Sequence, residues 1–133
     1  MIGKAGCKLE AVAPFISSRP LGPSQREYVN GAALVASPLT PHAMLAMLHG
    51  IEMLHGRERR GARWRARTLD LDIILWSGGC VADAQLTIPH PQFRARDFVL
   101  GPAAQVAPGW RDPVTGLTLR QLYARLKNTR FRR

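Results

Sequence analysis

In the stretch Arg63-Trp64-Arg65-Ala66-Arg67-Thr68-Leu69-Asp70-Leu71-Asp72-Ile73-Ile74-Leu75, a cluster of fixed positive charge runs directly into two carboxylates spaced i, i+2. From Leu69 to Leu75 the apolar residues are bulky or branched. That pattern predicts a strand, in which alternate side chains share a face, so Asp70 and Asp72 point the same way. Neighbouring carboxylates repel, and neither ionises readily without a cation close by. Arginine is one candidate for that cation and a divalent metal is the other. Mg²⁺ suits one or two carboxylates completed by water and phosphate oxygens.

The residues upstream favour the metal. Arg57, Arg59, Arg60, Arg63, Arg65 and Arg67 stand against the single acid Glu58, which is more positive charge than two aspartates need. The excess predicts an anionic ligand of polyphosphate type. Guanidinium forks bind phosphate bidentately, and metal with arginine neutralises charge in phosphoryl transfer. Taken singly, a D-x-D pair is commonly a solvated strand face, and an Arg-rich loop is commonly only a loop. Their adjacency argues for a site, since an ordinary exposed face has no reason to alternate acids with Leu and Ile.

At 133 residues, 46% hydrophobic and 21% charged, the chain is expected to be one domain with a real core. It shows neither a run long enough to span a membrane nor a signal-peptide pattern, so the cytoplasm is the expected compartment. Cys7 and Cys80 lack metal-ligand spacing and a disulfide framework, and both are expected to be free. A formal charge of +10 calls for anionic partners: nucleic acid, a membrane surface or phosphorylated small molecules. Charge alone does not choose among them. A second basic group, Arg120, Arg125, Lys127, Arg130, Arg132 and Arg133, reads as a solvated helix face and tail.

The elements that must position these groups follow from local pattern. Cys7 to Ser18 predicts an edge-like strand interrupted by Pro14, positions 19–25 a loop, and Tyr28 to Ser37 a second strand. Asn30 lies inside that strand, and its amide offers donor and acceptor together, as a flat heterocycle requires. Thr40 as N-cap and Pro41 at the first helical position open a helix with the stripe Met44, Leu45, Leu48, Ile51, ending at Gly56. His42, His49 and His55 along it read as surface or half-buried histidines. Glu52 either pairs with an arginine or accepts hydrogen bonds from a ligand. After the acids, Ser77-Gly78-Gly79 turns the chain, and Val81 to Ile88 leads into Pro89-His90-Pro91. The two prolines hold the His90 imidazole more firmly than a loop histidine usually is. Phe93 to Phe98 predicts a short helix or turn, from which Arg96 reaches phosphate and Phe98 stacks on a ring. Pro102 to Pro108 predicts a small apolar helix and Asp112 to Gly116 a turn. Leu117 to Leu126 predicts an amphipathic helix with Leu119, Leu122, Tyr123 and Leu126 inward. The order of elements suggests α+β or α/β with a mostly antiparallel sheet.

The run Arg67-Thr68-Leu69-Asp70-Leu71-Asp72-Ile73-Ile74, followed by Leu86-Thr87-Ile88-Pro89-His90 and by Arg96 and Phe98, resembles the 6-hydroxymethyl-7,8-dihydropterin pyrophosphokinases of folate biosynthesis. Pro20-Leu21-Gly22-Pro23 and Tyr28-Val29-Asn30 match as well, so the resemblance runs from about residue 9 to the last helix. It implies one α+β domain over 1–133, with a ferredoxin-like antiparallel sheet flanked by helices. The implied activity is transfer of the β,γ-diphosphate of ATP to the hydroxymethyl group of a dihydropterin, leaving AMP. By the same resemblance Asp70 and Asp72 hold two Mg²⁺ ions, and Arg57 and Arg67 clamp the transferring group. Arg59 and Arg63 contact phosphate, and Trp64 helps close the loop over substrates. Ile73, Thr87, His90, Arg96 and Glu52 match positions around ATP; Leu21, Tyr28, Asn30 and Phe98 match the pterin pocket.

Two departures stand out. Arg65 replaces a small glycine of the family. The family's opening strand, Gly-Ser-Asn type turn and full helix find no match, so an N-terminally short version is expected. Such a version would be a monomer, or a dimer through an open sheet edge. Expected partners are small molecules only, without nucleic acid or membrane. Two alternatives stay open: a relative that binds ATP and pterin but is inactive, and a basic nucleic-acid-binding module using Trp64 and Phe98 as stacking platforms. Asp70 and Asp72 speak against the second, because they repel a phosphate backbone unless metal is present.

Overall fold

The computed structural model describes residues 6–18, 28–58 and 69–131. The expected loop over 19–25 and the arginine-rich stretch from Arg59 to Arg67 lie outside them. The architecture is α+β. In chain order the elements are β1 (Lys8–Val12), β2 (Ile16–Ser18), β3 (Tyr28–Asn30), β4 (Ala33–Ala36), α1 (Pro41–Glu58), β5 (Val81–Ala82), β6 (Thr87–Ile88), α2 (Asp97–Val106) and α3 (Leu119–Phe131). A 3₁₀ turn at Phe93–Ala95 precedes α2. The strands form three two-stranded ladders, β1 with β4, β2 with β3 and β5 with β6. The chain divides into one compact unit made of Met1–Lys8 and Ser37–His90, and another made of Leu9–Ala36 and Pro91–Arg133.

In the first unit α1 begins as its sequence dictates. Thr40 Oγ1 accepts the Ala43 N–H at 3.2 Å, satisfying a backbone donor of the first turn, and Pro41 spends no needed N–H at the helix start. Met44 and Leu48 are buried and Leu45 and Ile51 half-buried, so the expected stripe is the inward face. The helix does not end at Gly56 but continues to Glu58. A glycine stops a helix by turning left-handed, and Gly56 has no positive φ; it only weakens the helix, by about 1 kcal/mol relative to Ala.

Beyond the acids, Gly79 adopts φ +111° and donates its N–H to the Trp76 carbonyl at 3.1 Å, closing the expected turn. The run from Val81 to Ile88 is a tight antiparallel hairpin, pairing Val81 with Ile88 and Ala82 with Thr87. Asp83 closes it, its Oδ1 accepting the N–H groups of Gln85 and Leu86, each at 2.9 Å.

The strand expected over Leu69 to Leu75 is not found: among the described residues this segment belongs to no ladder. Its alternation survives, with Asp70 and Asp72 exposed and Leu69, Leu71 and Ile73 half-buried. Side-chain periodicity records which face meets solvent, whereas a ladder needs a neighbouring backbone, and here backbone groups are engaged otherwise. Leu71 donates its N–H to a side chain, and the Ile74 carbonyl accepts the His90 N–H at 3.0 Å.

In the second unit both long strands anticipated from the sequence are broken. Cys7 to Ser18 becomes β1 and β2, separated where Pro14 lacks a donor. Tyr28 to Ser37 becomes β3 and β4, separated at Gly31 and Ala32. At the second break a Cβ on Gly31 would meet the Phe15 ring at 2.8 Å, so glycine is what lets the ring lie there. β2 and β3 pair antiparallel with Ile16 opposite Asn30. The helix is longer than the small one anticipated over 102–108, since α2 starts at Asp97 and carries Pro102 inside it. Leu100 and Ala103 of α2, Leu119 and Leu122 of α3, and Phe93 are all buried, forming the core of this unit. Leu119, Leu122, Tyr123 and Leu126 face inward to the degree expected, the first two fully buried and the others half-buried.

Candidate active site

Asp70 and Asp72 project from the irregular segment 69–76, and the Asp72 side chain is 60% exposed. Between them lies the Leu71 amide, whose N–H is held by Glu52 Oε2 at 2.6 Å. Glu52 thus grips the backbone of the acid segment. The reach is possible because Glu52 sits on α1, a rigid helix whose buried Leu48 fixes its rotation. On the other side His90, in Ile88-Pro89-His90-Pro91 with a cis Ile88–Pro89 bond, places Nε2 at 3.9 Å from Asp72 Oδ2. Its own N–H on the Ile74 carbonyl ties it to the same segment. Thr87 is exposed in β6 and Ile73 half-buried beside Asp72.

These donors set limits on a metal. Among the described residues no group of three or more His, Cys, Asp or Glu is placed to hold an ion. Two exposed carboxylates form a partial shell, which fits a Mg²⁺ that keeps waters and takes phosphate oxygens; it does not fit a cage built wholly of protein.

The second unit carries Asn30, half-buried at the end of β3, and Phe98, half-buried in the first turn of α2. Arg96 precedes α2 and is exposed, with its guanidinium carbon 6.0 Å from the Phe98 ring centroid and a hydrogen bond donated from Nη2 to Gln92 Oε1.

What holds this corner was missed from sequence. Asp112 is 0% exposed and accepts from Arg94 Nε at 2.5 Å and Nη2 at 2.8 Å. It also accepts from Thr115 Oγ1 at 2.8 Å and from the Val114 N–H at 3.1 Å. The Arg94 fork holds the Asp112 carboxyl down to about pKa 2, outweighing the burial that would raise it. The turn at Asp112 was legible; its partner eighteen residues upstream had no local signature.

Of the three histidines on α1, His42 pairs through Nε2 with Asp83 Oδ2 at 2.6 Å, with both side chains largely exposed. The N–H of Gln85, ahead of His42, lowers the Asp83 pKa below its ordinary value. Cys7 and Cys80 are free, Cys7 buried against Ser37 Oγ at 3.2 Å and Cys80 exposed.

Leu21, Arg59, Arg63, Trp64 and Arg67 lie outside the described residues. Tyr28 opens β3 and Arg57 lies in the last turn of α1, both described by their backbone alone.

The class these features define is an α+β protein that presents an exposed carboxylate pair suited to a hydrated divalent cation. Residues 1–108 match the family described as 7,8-dihydro-6-hydroxymethylpterin-pyrophosphokinase (HPPK), and the chain belongs to that family. Relatives named 2-amino-4-hydroxy-6-hydroxymethyldihydropteridine pyrophosphokinase are similar over most of the chain. The Synechocystis sp. protein is 43% identical over 118 residues, 89% of this chain and 60% of the relative. The Pseudomonas aeruginosa protein is 44% identical over 107 residues, 80% of this chain and 65% of the relative. The Methylorubrum extorquens protein is 34% identical over 122 residues, 91% of this chain and 75% of the relative. The chain therefore spans between 60% and 65% of the length of the first two of these relatives. Among the described residues no helix is long and apolar enough to cross a membrane.

Proposed function

We propose that the protein transfers the β,γ-diphosphate of ATP to 6-hydroxymethyl-7,8-dihydropterin, giving AMP and the pterin diphosphate in folate biosynthesis. The observation that carries this reading is the pair of exposed carboxylates, Asp70 and Asp72, flanking a pinned amide beside His90 in a chain of this family.

The hydroxymethyl oxygen attacks Pβ. The bond from Pβ to the oxygen bridging it to Pα breaks, that oxygen leaves with AMP, and the hydroxyl proton passes to solvent. Little covalent work falls to the protein: it aligns a hydroxyl with phosphorus and neutralises charge. Asp70 and Asp72 are the ligands assigned to two Mg²⁺ ions, which when bound offset the phosphate charge and polarise the group being transferred. Arg57 and Arg67 clamp that group, and Arg59 and Arg63 contact phosphate. Trp64 helps close the arginine loop so that water is excluded and ATP is not simply hydrolysed. Ile73, Thr87, His90 and Arg96 line the nucleotide. Asn30 reads the edge of the pterin ring with a donor and an acceptor, Phe98 stacks on its face, and Leu21 and Tyr28 complete the pocket. The fold that goes with this activity is one ferredoxin-like domain over 1–133, working in the cytoplasm as a monomer, or as a dimer through an open sheet edge.

A complex with α,β-methylene-ATP and Mg²⁺ tests the reading. Oxygens of Asp70 and Asp72 are expected ~2.0–2.1 Å from metal that also touches phosphate. A bound nucleotide with both acids empty and facing bulk solvent contradicts it.

A further inference from the structure

We infer that Glu52 is a positioning residue: its carboxylate sets the direction of the Asp70–Asp72 pair by holding the amide between them. The inference rests on the reading of those acids as metal ligands and adds how they are aimed.

The Asp70–Leu71 peptide is planar, so holding its N–H fixes the ψ of Asp70 and the φ of Leu71 together. Together with the ψ of Leu71 and the φ of Asp72, those two dihedrals decide how the Cβ of Asp70 stands relative to that of Asp72. In a paired strand, ladder hydrogen bonds would hold them; here the segment belongs to no ladder among the described residues. Two hydrogen bonds among the described residues hold its backbone instead. Glu52 Oε2 accepts the Leu71 N–H at 2.6 Å, and the Ile74 carbonyl accepts the His90 N–H at 3.0 Å. The residues from Leu71 to Ile74 are thus clipped at both ends, one clip coming from helix α1 and the other from the Pro-His-Pro corner.

The two clips differ in kind. A carboxylate accepting an N–H is a charge-assisted bond, shorter and stronger than one between neutral groups. It is also carried by a helix rather than a loop, so its position is set by the packing of Met44 and Leu48. A group that orients metal ligands in this way governs metal affinity without touching metal, and its loss typically costs about 10–100-fold in affinity. A glutamine in its place keeps a carbonyl oxygen able to accept the same N–H. A nucleotide contact, by contrast, would depend on the carboxylate's charge or reach and not on the Leu71 amide.

The test uses the full chain, with Mn²⁺ as probe metal and α,β-methylene-ATP as nucleotide. Mn²⁺ affinity is measured by electron paramagnetic resonance, nucleotide affinity without metal by calorimetry, and Leu71 amide exchange by NMR in the metal-free protein. Glu52→Ala is expected to weaken Mn²⁺ binding at least about 10-fold and to remove Leu71 protection, with metal-free nucleotide affinity unchanged. Glu52→Gln is expected to stay within about 3-fold of wild type in Mn²⁺ affinity and to keep Leu71 protected, rescue that a merely charge-based role would not give. The inference is overturned if Leu71 protection is the same in wild type and Glu52→Ala, if the folded Gln variant matches Ala in Mn²⁺ affinity, or if either variant weakens metal-free nucleotide binding. A wild-type chain that takes up no Mn²⁺ with the nucleotide overturns the assignment of the acids instead, and the Leu71 exchange still decides what Glu52 does.

Discussion

Arg94→Ala removes the cation from a carboxylate that has no access to water. Asp112 is 0% exposed and accepts four hydrogen bonds, two of them from the Arg94 guanidinium. The substitution leaves Val114 N–H and Thr115 Oγ1 to satisfy a buried negative charge by themselves. Stranding one partner of a buried pair costs about 3–5 kcal/mol. Arg94 itself is 29% exposed, so water can enter the space it vacates, and the lower end applies: about 3 kcal/mol. That is a large part of the ~5–15 kcal/mol that typically separates folded from unfolded domains.

The pH dependence carries a second signature. Folded Asp112 titrates near 2 instead of its ordinary 3.8, a depression that corresponds to about 2 kcal/mol. Because the folded value is the lower one, this stability is present in full above about pH 4 and is lost as pH falls through 2. Without Arg94 the folded pKa rises toward its ordinary value, so the mutant has less to lose in acid. Urea unfolding of both proteins is therefore expected to show a gap of about 3 kcal/mol at pH 7 that narrows by about 1 kcal/mol at pH 3. A gap under 1 kcal/mol, or one that does not change with pH, refutes the assignment of Arg94 as the counterion. The consequence reaches the proposed site, since the turn Phe93–Ala95 leads directly into Arg96 and Phe98.

Thr40→Ala is expected to cost about 1 kcal/mol, read as a lower urea midpoint at unchanged slope, because Thr40 Oγ1 caps the first turn of α1. Phe98→Ala is expected to weaken dihydropterin binding while leaving ATP binding near wild type, measured by calorimetry; equal losses for both ligands count against the stacking role.

How far the sequence reached is best judged element by element. Thr40-Pro41 and the 3.6-residue stripe mark the start of α1 and its inner face, since capping and periodicity are local properties. Its end was misread because Gly56 stops a helix only if it turns left-handed, which the next residues decide. The strand runs were visible as apolar stretches, yet their breaks at Pro14 and at Gly31 depend on how the strands pair. For the acid segment, the alternation of faces was legible from Leu69-Asp70-Leu71-Asp72-Ile73, while the absence of a ladder among the described residues was not. The aspartates stood out because two like charges on one face need an explanation. The bond from the Leu71 amide to Glu52 was not legible: a backbone amide nineteen residues away carries no residue-type signal. The pairing of Arg94 with Asp112 was not legible either, since each looks like an ordinary surface charge until burial is known.

The most direct measurement is AMP formation from ATP and 6-hydroxymethyl-7,8-dihydropterin, with and without Mg²⁺, by the wild-type chain and by Asp70→Ala and Asp72→Ala. Both acids are exposed, so their loss is expected to change stability by no more than about 0.5 kcal/mol. The account predicts Mg²⁺-dependent AMP with stoichiometric pterin diphosphate from the wild type and none from either variant. A folded wild-type chain that binds both substrates without forming AMP, or an alanine variant that retains turnover, contradicts it.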